Sequence, residues 1–220
     1  MYRNTENDSP VFVIHHSMTP EQRKEIIKKY KNKTTPGTHQ IGKTSGDKEY
    51  TAEIGIEKVR RDSGVYFIQD DMKLSVMIFN LIRIANTMSE YDFELTAFEA
   101  PQFTRYTKKQ HYNFHVDSDA HHNRKFAFQL PKERELAFTN QVELMNTIRK
   151  MSCSVILNDD YEGGEFCTKI IVDGETVEHT IPAVAGDTLV FPSYINHCVK
   201  PVKKGVRYSL VQWAAGPKFV

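Results

Sequence analysis

A mainly β chain with flanking helices is what this sequence predicts: a double-stranded β-helix (jelly roll, cupin-like) core supported by N-terminal α-helices. Three observations carry that expectation. The clearest helical signals precede Tyr91. After Tyr91 comes a series of short β runs with turn punctuation, and Asp173-Gly174 between two of them is a hairpin signature. Strands in such a series close on one another because open sheet edges are a liability. At 220 residues the chain fits one domain, 1–220, with 1–92 as helical support and 93–220 as the core. A chain of that length buries enough surface to need no disulfide or metal staple.

The elements follow in order. Residues 1–9 are polar and expected to fray. Val11, Phe12, Val13 and Ile14 make a short strand within Pro10–His15. Thr19 then opens a helix reaching about Lys31, with Pro20 suited to its first position and Gln22 completing a capping box. Arg23, Lys24, Lys28, Lys29, Lys31 and Lys33 read as a solvated face of that helix, with contact to an acidic partner as the alternative. Residues 34–47, rich in Gly, Thr and Lys and without a period, are expected to form a loop. A strand at Val65–Ile68 follows. Leu74, Met77, Ile78, Leu81, Ile82, Ala85 and Met88 fall at helical spacing across 70–90, so a second helix lays one apolar face on the core. Strands are expected at 93–100, 101–107, 111–117, 152–158, 165–172, 175–181, 187–192, 196–202 and 205–214. An insertion at 119–151 interrupts them, read as a loop over 121–132 and a short helix over 139–150.

Composition removes several classes of function. Lys plus Arg is 29 and Asp plus Glu is 28, so no global field draws the chain to nucleic acid or lipid. The three cysteines, Cys153, Cys167 and Cys198, are odd in number and without a short pairing pattern, which points to a reducing compartment. The N-terminus has no apolar signal region, and no run approaches ~20 apolar residues. The expectation is a cytoplasmic protein without membrane contact.

His115-Val116-Asp117 is the chemical centre of the sequence. On a strand, residues i and i+2 point to one side, roughly 6.6 Å apart along the chain, so imidazole and carboxylate can converge on one ion. His197, the only histidine in the last forty residues, is the candidate for a distal ligand. Two histidines and one carboxylate form a facial triad that leaves the opposite face of a ferrous ion open. A zinc or nickel site of cupin type could use the same side chains; Arg207, ten residues beyond His197, favours iron with 2-oxoglutarate. Its planar fork can hold a carboxylate bidentately. Arg207, Ser209, Val211 and Trp213 share one strand face, so Ser209 can add a donor and Trp213 an apolar wall near the metal. Tyr106 and Tyr112 can donate phenol hydrogen bonds or pack in the core. Cys198 should face away from His197, into the core. His121 and His122 are alternative ligands only in principle, since adjacent residues cannot face the same way on a strand. The insertion after Asp117 is placed to act as a lid.

Longer motifs carry a resemblance. Tyr106-Thr107-Lys108-Lys109-Gln110-His111-Tyr112-Asn113-Phe114-His115-Val116-Asp117 resembles a segment of the prolyl 4-hydroxylase-like Fe(II)/2-oxoglutarate-dependent dioxygenases. Ser154 to Phe166, with Asp160-Tyr161-Glu162-Gly163-Gly164-Glu165, is similar to that family's strand and turn. Gly186 to Pro192 and His197 to Ser209 resemble its closing segments, so the likeness covers residues 94–215. It implies a metal on His115, Asp117 and His197, a 2-oxoglutarate carboxylate on Arg207, and support from Tyr106 and from Trp213 beside the metal. Fe(II), 2-oxoglutarate and O2 are the implied cofactor and co-substrates, with ascorbate as supporting reductant.

Departures from the family pattern are informative. Lys109 stands where the family has glycine, so a left-handed turn there is less cheap. Ile156 stands where some relatives carry a 2-oxoglutarate-binding tyrosine, and Val211 where some carry threonine, which shifts the anchoring onto Arg207, Ser209 and Tyr106. The retained Asp117 argues against halogenation. The expected reaction is hydroxylation of a C–H bond, foremost in a peptidyl proline. A free amino acid or small metabolite is the alternative substrate, and a non-catalytic metal- or dicarboxylate-binding jelly roll the alternative function.

Overall fold

The computed structural model describes residues 9–37, 39–44, 50–55, 58–118 and 147–218. Its N-terminal part contains β1 (Phe12–Ile14), α1 (Pro20–Tyr30), β2 (Thr35–Pro36), β3 (His39–Thr44), β4 (Tyr50–Gly55), β5 (Arg61–Asp62), β6 (Gly64–Phe67) and α2 (Met72–Met88). Then follow β7 (Ala97–Phe98), β8 (Gln102–Tyr106), β9 (His111–His115) and β10 (Thr147–Ile156). The chain continues through β11 (Glu162–Gly163), β12 (Phe166–Val172), β13 (Glu175–Thr180) and β14 (Thr188–Pro192). It closes with β15 (Asn196–Val199), β16 (Val202–Lys204) and β17 (Arg207–Pro217).

Two antiparallel sheets make the core, as the jelly-roll expectation requires. The larger has the order β1-β14-β10-β17-β8-β6-β2, with β7 also on β17; the smaller runs β13-β12-β15-β9-β5. The larger sheet buries apolar side chains on both faces, with a polar stretch around Arg207 on the inner one. Its outer face presents Phe103, Cys153, Val155, Val190 and Leu210 to the helices, where Tyr30, Leu74, Ile78 and Ile82 complete one cluster. Burying a side chain such as Ile78 or Ile82, both 0% exposed, stabilises the fold by about 1.5–3 kcal/mol. Its inner face packs Tyr106, Ile156, Leu189 and Phe191 against Phe166 and Val199 of the smaller sheet.

Local chemistry explains the elements that the sequence predicts well. Thr19 accepts from the Gln22 amide while the Gln22 side chain accepts from Thr19, so the expected capping box opens α1. Asp71 caps α2 by accepting from Leu74 N at 3.0 Å. The Leu74, Ile78, Ile82 and Ala85 face of α2 is buried, whereas Met88 stands 48% exposed beyond the sheet. Asp173 and Gly174, at φ 51° and 84°, form the primed turn between β12 and β13.

Two expectations fail. Residues 34–47 are not a loop throughout: β2 pairs with β6 and β3 pairs with β4. Backbone pairing builds these strands in a segment whose side chains carry no two-residue period. The short helix over 139–150 is overturned at its end, because Thr147–Lys150 begins β10 against the tail of β17. The remainder of the insertion, with its expected loop and lid, lies outside the described residues. Among the described residues no helix is long and apolar enough to cross a membrane.

Lys109 is a third departure, with the opposite outcome. It keeps a left-handed φ of 71°, donating its N–H to Val202 O at 2.8 Å, although glycine would take that conformation without steric penalty. A non-glycine residue costs about 1–2 kcal/mol there, and glycine gives back part of that in chain entropy. Lys109→Gly should therefore raise the unfolding free energy by roughly 1 kcal/mol in urea titration; an unchanged midpoint would contradict the strain. Ile78→Ala should cost about 2–5 kcal/mol by the same measurement. Burial pushes the Cys198 thiol up to about 12 and the Cys153 thiol above its usual range. At pH 8 almost no thiolate is present at either site, so iodoacetamide should leave both unlabelled until urea unfolds the chain. Rapid labelling of the folded protein would refute that.

Candidate metal centre and anion pocket

Register places the two histidines. His115 ends β9 and lies directly opposite His197 of β15. Beyond β9 the chain turns back on itself: Asp117 N and Ser118 N both donate to Ser193 O, at 2.9 and 3.0 Å. That turn aims the Asp117 carboxylate at the imidazoles. Its Oδ1 lies 3.6 Å from His115 Nε2, and its Oδ2 lies 3.6 Å from His197 Nε2. One ligand atom from each of the three residues falls within 4.8 Å of the others. An ion about 2.1 Å from each ligand atom fits such a spacing.

Both histidines are oriented by the same device. Nδ1 of His115 donates to Asn113 O, and Nδ1 of His197 to Ile195 O, each at 2.8 Å. A carbonyl can only accept, so Nδ1 carries a proton, which in the neutral imidazole leaves the Nε2 lone pair for a metal. Burial, then the neighbouring His197, lowers the His115 pKa to about 3. Burial opposes the charged form of Asp117, yet the adjacent imidazoles, Arg149 and the Ser152 hydroxyl outweigh it and hold the carboxyl well below its usual range. At neutral pH, His115 is neutral and Asp117 ionised, the forms that a metal requires.

A second layer fixes this geometry. Ser152 donates to Asp117 Oδ2 at 2.7 Å and shares a hydrogen bond with Ser193 Oγ at 2.9 Å. The Tyr112 ring stacks on His115 with centroids 3.5 Å apart, and the Arg61 guanidinium lies over Tyr112 at 4.6 Å. Phe166 and Phe191 confine the His197 ring.

The inner face of β17 leads away from the triad to Arg207. That residue is 1% exposed, donates from Nη1 to Ser209 Oγ at 3.0 Å, and leaves Nε buried without a partner. Among the described residues no carboxylate pairs with it. Tyr106 of β8 lies directly opposite Arg207 of β17, its ring 5.6 Å from the guanidinium carbon. Burial raises the Tyr106 pKa, so its phenol stays a donor. Ser209 faces Thr104 on one side and Ile156 on the other, and Val211 faces Ser154. Asn158 clamps the backbone around Arg207: its Nδ2 donates to Val206 O at 2.7 Å, and its Oδ1 accepts from Tyr208 N at 2.7 Å. Gly164, at φ 66°, lets Arg207 lie close, since a Cβ there would sit 3.0 Å from Arg207 Cδ.

The structure thus brings together His115, Asp117 and His197, and separately Arg207, Ser209 and Tyr106. Trp213 lies on the same face as Arg207 but opposite Ser152, near the triad, with the Arg149 guanidinium 3.9 Å above its ring. Tyr112 belongs to the smaller sheet, stacks on His115 and packs against the cluster that contains Tyr106 and Ile156. Cys198 is buried and pairs across strands with Cys167. His121 and His122 lie outside the described residues. Sequence reading does not find Ser152, Ser193, Asn158, Thr104 or the Arg149–Glu99 pair, which is bidentate at 2.5 and 2.7 Å. The one available signal is the small polar alternation Ser152-Cys153-Ser154 beside the apolar run Val155-Ile156-Leu157.

Ser152→Ala removes the hydroxyl that orients Asp117 without touching a ligand atom. Affinity for Co(II), read by calorimetry, should fall roughly 10–100-fold with little change in melting temperature. Unchanged affinity would show that Asp117 is held by the backbone turn alone.

The model of the 2OG-Fe(II) oxygenase superfamily matches residues 101–215. A PKHD-type hydroxylase of Xylella fastidiosa (strain M12) is 34% identical over 115 residues, which are 51% of this chain and 43% of that protein. A PKHD-type hydroxylase of Janthinobacterium sp. (strain Marseille) is 30% identical over 115 residues, 51% of this chain and 42% of that protein. The matched part is therefore less than half the length of these relatives. In fold, the chain is similar to a Pseudomonas putida prolyl-4-hydroxylase, with TM-score 0.61 and 17% identity over 96% of this chain and 95% of that one. A Trichoplax adhaerens prolyl hydroxylase, solved with a hypoxia inducible factor peptide fragment, gives TM-score 0.59 and 14% identity over 96% and 86% of the two chains. With a model match over residues 101–215 and a jelly roll carrying a His-Asp-His cluster, the chain belongs to the 2OG-Fe(II) oxygenase superfamily.

Proposed function

We propose that this chain is an Fe(II)- and 2-oxoglutarate-dependent dioxygenase that hydroxylates a C–H bond, with a peptidyl proline as its substrate class. The observation that carries the reading is Arg207, a buried guanidinium with an orphaned Nε and no carboxylate partner among the described residues. Burying an unpaired charge costs several kcal/mol, so such a group is matched to an anion that the fold does not itself supply. It shares its strand face with Trp213, which lies beside the triad.

His115, Asp117 and His197 would hold the metal on one face. Arg207 and Ser209 would take the far carboxylate of 2-oxoglutarate, with the Tyr106 phenol as a further donor. When bound, Fe(II) supplies with O2 the oxidising power that converts R–H to R–OH while 2-oxoglutarate is decarboxylated to succinate and CO2. The protein contributes orientation. Nδ1–carbonyl bonds aim both imidazoles, Ser152 fixes Asp117, and Trp213 with the Arg149–Glu99 pair walls the side of the site. The Phe166 and Phe191 rings keep water from the His197 side. Support for a peptide substrate comes from the similar fold of the Trichoplax adhaerens enzyme, which was solved with a peptide.

The test is succinate formation from 2-oxoglutarate in the presence of Fe(II) and ascorbate, with and without proline-containing peptides. Peptide-stimulated succinate and a +16 Da product are expected. Absence of succinate under every condition would favour a binding jelly roll, and stimulation by free amino acids alone would move the substrate class. Asp117→Ala and His197→Ala should abolish turnover. Arg207→Ala should raise the 2-oxoglutarate requirement roughly 10–100-fold, the loss expected for hydrogen bonds to a charged group.

A further inference from the structure

We propose that the outer face of α2 is the interface of a homodimer, in which two copies of this chain pair about a two-fold axis. The 17 residues of that helix, Met72–Met88, hold two cations, Lys73 and Arg83, and no acid. Leu74, Ile78, Ile82 and Ala85 are committed to the core. Turned away from the core, Val76, Ile84 and Met88 stand 40%, 42% and 48% exposed. With Asn80 they fall at intervals of four residues, so they form one ridge roughly 18 Å long. A helix that is apolar on both sides is suited to being covered on both. A solvated helix face in this chain is built differently: α1 turns Glu21, Lys24, Glu25 and Lys28 outward.

Beside the ridge runs a groove of about 860 Å³, lined by Ile84, Met88 and Leu95 together with the exposed Arg83 and Asp92. Ridge and groove therefore lie side by side on one surface. That is the condition for isologous pairing, since each copy offers the ridge that the other's groove receives. Charge selects a second copy as the occupant. The outer face of α2 presents cations, while Glu90, Asp92 and Glu94 just after it are exposed acids. Arg83 and Asp92 line the same groove, yet neither makes an ion pair among the described residues. With a two-fold axis through the groove, Arg83 of each copy meets the partner's Asp92, and the pair forms twice. Ridges built from residues four apart interdigitate when the two helices cross at about −50°.

Sedimentation equilibrium of the full chain, over roughly a hundredfold range of concentration, tests this independently of any reaction. A reversible equilibrium between one and two copies is expected. Ile84→Asp should weaken the dimer at least tenfold, and Met88→Asp should do the same, which keeps the test decisive if Ile84→Asp does not fold. Arg83→Gln and Asp92→Asn should each weaken it roughly 2–30-fold, the loss of two exposed ion pairs. Asparagine tolerates the left-handed φ of 47° at position 92. The double variant should be no weaker than either single one. A chain that stays monomeric throughout would overturn the inference. So would a dimer that the folded Ile84→Asp and Met88→Asp chains leave intact, or one in which the Arg83 and Asp92 losses simply add.

Discussion

A guanidinium sealed inside a β-sandwich, with no carboxylate partner among the described residues, is the constraint on which this structure turns. Arg207 is 1% exposed, and its immediate neighbours are a serine hydroxyl, a tyrosine ring and a glycine. A stable fold does not bury an unmatched charge for packing alone, because an alkyl side chain of similar volume would be cheaper. The surrounding architecture is consistent with that residue's being a ligand anchor. Asn158 pins the backbone on both sides of it, and the paired hydroxyl residues Thr104 and Ser209 make the strand face next to it polar.

The metal centre is the other end of the same design, and it depends on register. A one-residue slip between β9 and β15 would send His115 or His197 to the opposite face. Several features oppose that slip. The His115–His197 pairing is flanked by the aromatic stack of Tyr112 on His115, and the Asp117 turn is tied twice to Ser193 O. Ser193 also joins Ser152 of β10. The carboxylate ligand is thereby coupled to the larger sheet, and the histidine ligands to the smaller one. A metal here would clasp the two sheets at one end of the sandwich.

Local signals made much of this legible. The Thr19 capping box, the α2 apolar face and the Asp173-Gly174 turn each depend on residues close in sequence, and all three formed. The triad was legible because the H-x-D spacing is itself local, and because His197 had few competitors. What stayed hidden depends on cross-strand partners. Ser152 matters only because β10 runs beside β14 and carries it to Asp117; Arg149 because a register shift before Met151 turns it toward Trp213. The β3–β4 pairing is not legible for the converse reason, since its sequence carries no two-residue apolar period. Lys109 shows that a family glycine can be lost while its backbone angle is kept.

The most direct measurement of the central claim is thermal unfolding of the unaltered chain and of Arg207→Met, each with Mn(II), with and without 2-oxoglutarate. A ligand that binds only the folded state raises the midpoint by mass action. If Arg207 is an anchor awaiting a carboxylate, 2-oxoglutarate should raise the midpoint of the unaltered chain. The Met variant should melt at least as high without ligand and gain much less from it at the same 2-oxoglutarate concentration. A Met variant that is stabilised by 2-oxoglutarate as much as the unaltered chain would contradict the account.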